Sequence, residues 1–141
     1  MIIRLAIFAV FSLFFGSVSG NLALAGGDAG KGQDLFHTCA ACHQIGNGAR
    51  NDVGPVLNNI IGRRAASRDG FVYSRAMKEK GADGLVWTEQ TLDAYLANPR
   101  NYVRGTRMAY AGLHDDVARE DLIAFLKTLK FDGPAETKIL K

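Results

Sequence analysis

From residue 28 onward the apolar positions recur at helical spacing and nowhere alternate in the manner of a strand. Gly32, Leu35, Phe36 and Cys39 fall at i, i+3, i+4 and i+7. Asp28 stands before them, a residue type that caps helices by accepting hydrogen bonds from the first free N–H groups. Gly32 sits inside that stripe, where glycine weakens a helix, so close backbone approach to a partner helix is expected. A loop dense in turn residues follows, from Gly46-Asn47-Gly48 to Gly54-Pro55, then a short apolar piece over 56–61 closed by Gly62. Residues 73–80 read as a short helix stopped by Gly81. Thr88 caps a helix whose Leu92, Tyr95 and Leu96 share a face and which Asn98-Pro99 ends. In the last helix Leu122, Phe125, Leu126 and Leu129 again repeat at i, i+3, i+4 and i+7 behind Asp115 or Asp116. Lys127 and Lys130 favour its C-terminal end, and Gly133-Pro134 terminates it. The pattern predicts an all-α fold, one domain of about four to five helices.

The first residues follow a different pattern. Arg4 leads into a nearly unbroken apolar run over 5–15, and small residues follow up to Ala23-Leu24-Ala25, an A-x-A-type cleavage site. A run of about 11 residues suits the ~7–15 of a signal h-region and falls short of the ~20 that span a bilayer. Residues 1–25 are therefore expected to be a secretory signal peptide cleaved after Ala25. Residues 26–141 would remain as the domain, with a frayed tail over 133–141. The alternative is an uncleaved anchor that tethers the domain to a membrane. Removing Arg4 takes the formal charge from +3 to +2. The basic residues are scattered without a run of five or six, which argues against a nucleic-acid partner.

The chemistry is concentrated in Cys39-Ala40-Ala41-Cys42-His43, which contains both cysteines of the chain. C-x-x-C-H is the pattern of c-type haem attachment. Two thiols one helical turn apart can each add to a haem vinyl group, and the adjoining histidine can ligate the iron. A thioredoxin-like reading needs a βαβ context that the flanking sequence lacks. A zinc site needs a fourth ligand, and there is neither a second C-x-x-C nor an H-x-x-x-H. Export agrees with haem attachment, which takes place outside the bacterial cytoplasm. A second axial ligand could come from Met77, Met108, His37 or His114. His37 lies less than two turns before His43, on the same side of the ring, and Met77 falls in a helix, where methionine commonly fills core space. Met108 lies in an irregular loop, Arg104-Gly105-Thr106-Arg107-Met108, long enough to fold over a haem face. Spacing alone leaves the choice open.

The chain resembles a class I cytochrome c of the mitochondrial and alphaproteobacterial type, over nearly everything from residue 30 to 129. Cys39-x-x-Cys42-His43 matches the family's attachment motif. Asn98-Pro99-x-x-Tyr102-x-x-Gly105-Thr106-Arg107-Met108-x-Tyr110-Ala111-Gly112 resembles its methionine-ligand loop, and residues 121–127 resemble its C-terminal helix. The resemblance implies the class I cytochrome c fold around one covalent haem c, with His43 and Met108 as iron ligands. It implies that the Pro55 carbonyl accepts the proton on the other His43 ring nitrogen. It puts Arg63 near the inner propionate, makes Tyr73, Trp87 and Thr106 propionate donors, and sets Tyr95 beside the methionine sulfur. Gly32 and Phe36 would meet Leu122 and Phe125.

The sequence also departs from that family. Met77 replaces a frequent asparagine, Arg104 replaces a proline, and Asp115-Asp116 stand where mitochondrial members carry lysines. Two extra residues fall within 81–86. With both axial positions filled, the expected role is periplasmic one-electron transfer rather than catalysis. The rivals are a membrane-anchored electron-transfer subunit and a small haem enzyme or gas binder with a labile sixth site. The expected partners are redox proteins: a quinol-oxidising complex or periplasmic dehydrogenase as donor, and an oxidase, reaction centre or reductase as acceptor. A monomer docking peripherally on membrane complexes is expected, through a face flanked by Arg100, Arg104 and Arg107.

Overall fold

The computed structural model describes residues 26–131. The expected signal peptide over 1–25 and the expected frayed tail over 133–141 lie outside the described residues. Five helices follow in order: α1 Ala29–Phe36, α2 Arg75–Ala82, α3 Glu89–Ala97, α4 Pro99–Tyr102 and α5 Asp116–Thr128. Among the described residues the only β pairing is an isolated antiparallel bridge between Arg64 and Val86.

α1 and α5 form the main helix pair. Asp28 caps α1, its side chain accepting from the N–H groups of Gly30 and Lys31. Its own N–H donates to Asp121 Oδ1 on α5 at 2.5 Å. Gly32 lies directly against α5: a Cβ there would overlap the Asp121 carbonyl and come within 2.8 Å of Phe125 Cβ. Phe36 and Phe125 meet with ring centroids 5.5 Å apart. The predicted stripe of α5 is buried, with Leu122, Phe125, Leu126 and Leu129 all in the core. Asp115, of the two candidates, is the cap, accepting from the Ala118 N–H at 3.0 Å.

Helix ends differ from the sequence expectation in three places. α5 stops at Thr128, well before Gly133. There the Leu129 carbonyl accepts from the Asn59 N–H at 2.7 Å. The Asn59 amide exchanges two further bonds with the Phe131 backbone. Asn59 has φ 54, a left-handed conformation that asparagine tolerates. A distant loop, not the glycine, therefore ends the helix. α2 begins only at Arg75, capped by Ser74, and runs through Gly81 to Ala82. Gly81 is a contact point rather than a stop, because a Cβ there would strike the Ala65 carbonyl. Arg64 Nε donates to the Gly81 carbonyl at 2.6 Å and holds that end of the helix. The single turn α4 has no counterpart in the periodicity. Asn98 caps it from α3, accepting from the Asn101 N–H, and Pro99 fills its first position, where the missing N–H costs nothing.

Candidate functional site

All the helices but α4, together with the two long loops, line a cavity of about 800 Å³, within the range of small-molecule and cofactor pockets. All ten residues singled out as a candidate site line it: Cys39, Cys42, His43, Pro55, Arg63, Tyr73, Trp87, Tyr95, Thr106 and Met108.

The chain leaves α1 in successive turns. The Cys42 and His43 N–H groups both donate to the Cys39 carbonyl, at 3.0 and 2.9 Å. This sets the two thiols one turn apart. Both are free and half-buried, and burial pushes the Cys39 thiol above its ordinary pKa. His43 Nδ1 lies 2.7 Å from the Pro55 carbonyl, which can only accept, so Nδ1 carries the proton and Nε2 keeps its lone pair. Burial lowers the His43 pKa, against the Pro55 bond, and favours the neutral, ligating imidazole. The ring packs on Gly54, where a Cβ would come within 2.6 Å of Nδ1. Gly54 has therefore to be glycine for His43 to lie where it does.

Three groups offer donors to the cavity. Arg63 gives Nη1 to the Asn58 carbonyl at 2.9 Å and Nη2 to the Val56 carbonyl at 3.0 Å. It fastens the short apolar piece after Pro55. Burial lowers its pKa, and among the described residues it pairs with no carboxylate. The Tyr73 hydroxyl accepts from the Arg68 N–H at 3.3 Å and keeps its own proton to donate. The Trp87 ring is buried 5.0 Å from that of Tyr95, and its indole N–H has no protein acceptor among the described residues. That nitrogen is accessible from the cavity, since no buried side-chain nitrogen or oxygen among the described residues lacks a partner. A group bearing carboxylates would satisfy these donors, as a haem does.

On the remaining wall the Tyr95 hydroxyl donates to Met108 Sδ at 3.3 Å and lies 3.1 Å from Thr106 Oγ1. Thr106 Oγ1 in turn accepts from the Met108 N–H at 3.3 Å. Burial raises the Tyr95 pKa, so the hydroxyl stays a donor. Of the four residues considered for the second axial position, Met77 and Met108 line the cavity, whereas His37 and His114 are exposed and do not. Met77 is buried on α2, where its apolar side chain replaces the polar group its family position often carries. The described residues hold no cluster of three or more His, Cys, Asp or Glu fit for a metal.

Sequence reasoning missed three features. Arg107 reaches across the cavity mouth and its Nη2 donates to the Val72 carbonyl. Val53 and Val72 are 73% and 70% exposed at that mouth. Asp116 does not oppose the basic face freely, because its carboxylate is bound to Arg119 at 2.6 Å. The first two depend on loops brought together over long sequence separation. Only Gly54-Pro55, directly after the motif loop, carried a readable local signal.

The profile of the cytochrome c family matches residues 29–130. A cytochrome c-550 of Ancylobacter novellus is 50% identical over 103 residues, 73% of this chain and 96% of that one. A cytochrome c2 of Rhodomicrobium vannielii is 51% identical over 106 residues, 75% of this chain and 82% of its own. The solved structure of cytochrome c2 from Rhodospirillum centenum superposes with a TM-score of 0.71 at 36% identity, covering 74% of this chain and 99% of that one.

Proposed function

Because this chain belongs to the cytochrome c family, we propose that it is a periplasmic one-electron carrier whose His43 and Met108 bind the iron of its single haem c. The family's fold and its covalent haem are this chain's own, and electron transport is its function. The haem supplies a one-electron iron couple. The protein residues decide how the iron is held and reached. In this reading Cys39 and Cys42 hold the ring through thioethers. Pro55 fixes the His43 tautomer so that Nε2 meets the iron. Arg63, Tyr73 and Trp87 would donate to the propionates, and Thr106 would do so by turning its proton away from the Tyr95 hydroxyl. Tyr95 tempers the electron donation of the Met108 sulfur. With His43 and Met108 both holding it, the iron would have no place for a substrate, which would suit a carrier that changes charge without changing ligands.

The observation that carries this reading is the enclosure of all ten residues around one cavity, with Nδ1 of His43 committed to a carbonyl. The relatives are named cytochromes c2 and c-550, and no helix of the described residues is long and apolar enough to cross a membrane. In this reading the protein is a monomer exported by residues 1–25 and cleaved after Ala25. Its donor would be a quinol-oxidising complex or periplasmic dehydrogenase, and its acceptor an oxidase, reaction centre or reductase.

Optical spectroscopy on the holoprotein tests the ligand set. The ferric form should show the weak red band of a thioether bound to iron. Met108→Ala should abolish that band, admit carbon monoxide to the ferrous form and lower the potential, since the soft sulfur favours ferrous iron. Met77→Leu should leave the band in place. The reverse pattern would exchange the two methionines. Ready carbon monoxide binding by the parent at neutral pH would turn the reading toward a haem enzyme or gas binder. Acid-acetone should leave the haem on the chain, and the N-terminal sequence of exported protein should begin at Gly26.

A further inference from the structure

Arg119 and Asp121 are the buried charged residues among those described. Asp121 serves the α1–α5 contact. Arg119, with its side chain 8% exposed, serves something else. Its guanidinium donates three ways: Nε to Asp93 Oδ1 on α3 at 2.6 Å, Nη2 to Asp116 Oδ1 at 2.6 Å, and Nη1 to the Leu113 carbonyl at 2.8 Å. Leu113 ends the loop that leaves α4, carries Met108 and returns to α5. Its N–H is also bound, to the Leu96 carbonyl of α3 at 2.9 Å. Gly112 just before it has φ 112 and packs so closely on the Ala97 carbonyl that a Cβ would collide. The returning limb is thus clamped on three successive sides: to α3 by Gly112 and the Leu113 N–H, and to α5 by Arg119.

We propose that Arg119 is a positioning residue for the sixth iron ligand, holding the returning limb of the Met108 loop at the distance from which the thioether reaches the iron. This rests on the assignment of Met108 as that ligand. Only a planar fork with several fixed donors can meet two carboxylates and a carbonyl together; a lysine ammonium on the same stem is a single point charge. Joining α3 to α5 does not by itself require Arg119. Lys127 and Glu89 already pair across those helices at 2.8 Å. What Arg119 alone supplies is the bond from α5 to the Leu113 carbonyl, beside the bond from the Leu113 N–H to α3. Asp93, its partner on α3, stands two residues before Tyr95, whose hydroxyl contacts Met108 Sδ. Loss of the fork should therefore free the loop before it unfolds the domain.

The test follows two signals through a guanidinium titration of the holoprotein: the red sulfur-to-iron band, and fluorescence of Trp87, the chain's single tryptophan, as the probe of unfolding. In Arg119→Lys the band should be lost at distinctly lower denaturant than the fluorescence change. Carbon monoxide uptake by its ferrous form should rise about tenfold, the fold-change of losing one hydrogen bond to a charged group. Asp28→Ala, which weakens α1 without touching the loop, should shift both signals together. Asp93→Asn should separate them in the same sense as Arg119→Lys but less, and it decides the matter if Arg119→Lys takes up no haem. If band and fluorescence move together in the Arg119 and Asp93 variants as in Asp28→Ala, with carbon monoxide uptake unchanged, the positioning role is overturned while Met108 stands as ligand. If Met108→Ala keeps the parent's band, the ligand assignment itself is wrong and this role falls with it.

Discussion

At Tyr95 a single hydroxyl does two jobs. It donates to the Met108 sulfur and shares a hydrogen bond with Thr106, from a ring packed against Trp87 and, 6.1 Å away, Tyr102. A donor on the sulfur withdraws electron density that would otherwise stabilise ferric iron. Tyr95→Phe should therefore lower the midpoint potential. A neutral hydrogen bond is worth about 0.5–1.5 kcal/mol, and a one-electron couple moves ~59 mV per tenfold, so the fall should be about 20–60 mV in a redox titration. The same hydroxyl gives a pH signature. Burial raises its folded-state pKa above the ordinary 10.0, so folding favours the protonated phenol. That contribution is complete below pH 10 and is lost as pH rises from there through the folded-state pKa. Denaturation midpoints of the parent should fall in this window, and Tyr95→Phe should flatten the fall. The tyrosine's position on a helix face is legible in the sequence. Its two bonding partners, eleven and thirteen residues on, cannot be read from spacing, because α4 and a loop lie between; only the family resemblance set Tyr95 beside the Met108 sulfur.

Among the elements, the α1–α5 pair shows how far local pattern reaches. The two stripes, Asp28 as the cap and the demand for glycine at 32 all follow from spacing. Gly32→Ala should be costly, because the methyl meets helix backbone that cannot rotate away. Overpacking of this kind costs about 1–3 kcal/mol, and the denaturant midpoint should drop with the slope unchanged. Periodicity failed at helix ends. Gly81 reads as a stop and is a contact; Gly133 reads as a stop and lies beyond one already imposed by Asn59. A glycine's signal is the same in both roles, and only the neighbour across space distinguishes them. α4 escaped because a single turn has no period.

At the scale of the whole molecule, the core is arranged around the cavity that the site residues line. Phe36, Trp87, Leu92, Leu96, Leu122 and Leu126 turn core side chains toward that cavity, apolar surface that a haem would cover. A Cys39→Ser, Cys42→Ser double variant that takes up no haem should therefore lack a cooperative thermal transition, and circular dichroism should show much of the helix signal gone. The outer surface carries its own prediction. Arg100, Arg104 and Arg107 are exposed on α4 and the Met108 loop, and Asp116 is bound to Arg119. Exposed charges steer association over a Debye length of ~8–10 Å. With an acidic partner, second-order electron-transfer rates in stopped flow should fall as salt rises, and Arg104→Gln should reduce that slope. A rate that rises with salt would point to a basic partner or another docking face.

What the sequence by itself determined is short in range: helix stripes three and four residues apart, caps that reach two or three residues, and a five-residue attachment motif. These depend on backbone geometry that every helix shares, so they can be read without neighbours. Tertiary structure alone decided the rest. It ended α5 at a loop 70 or so residues away, and gathered Asp93, Asp116 and Leu113 on one guanidinium. Each of these is a directional bond between segments whose approach is set by packing around the cavity. Their donors and acceptors are visible in the sequence, but any of many partners would satisfy them until the chain has closed.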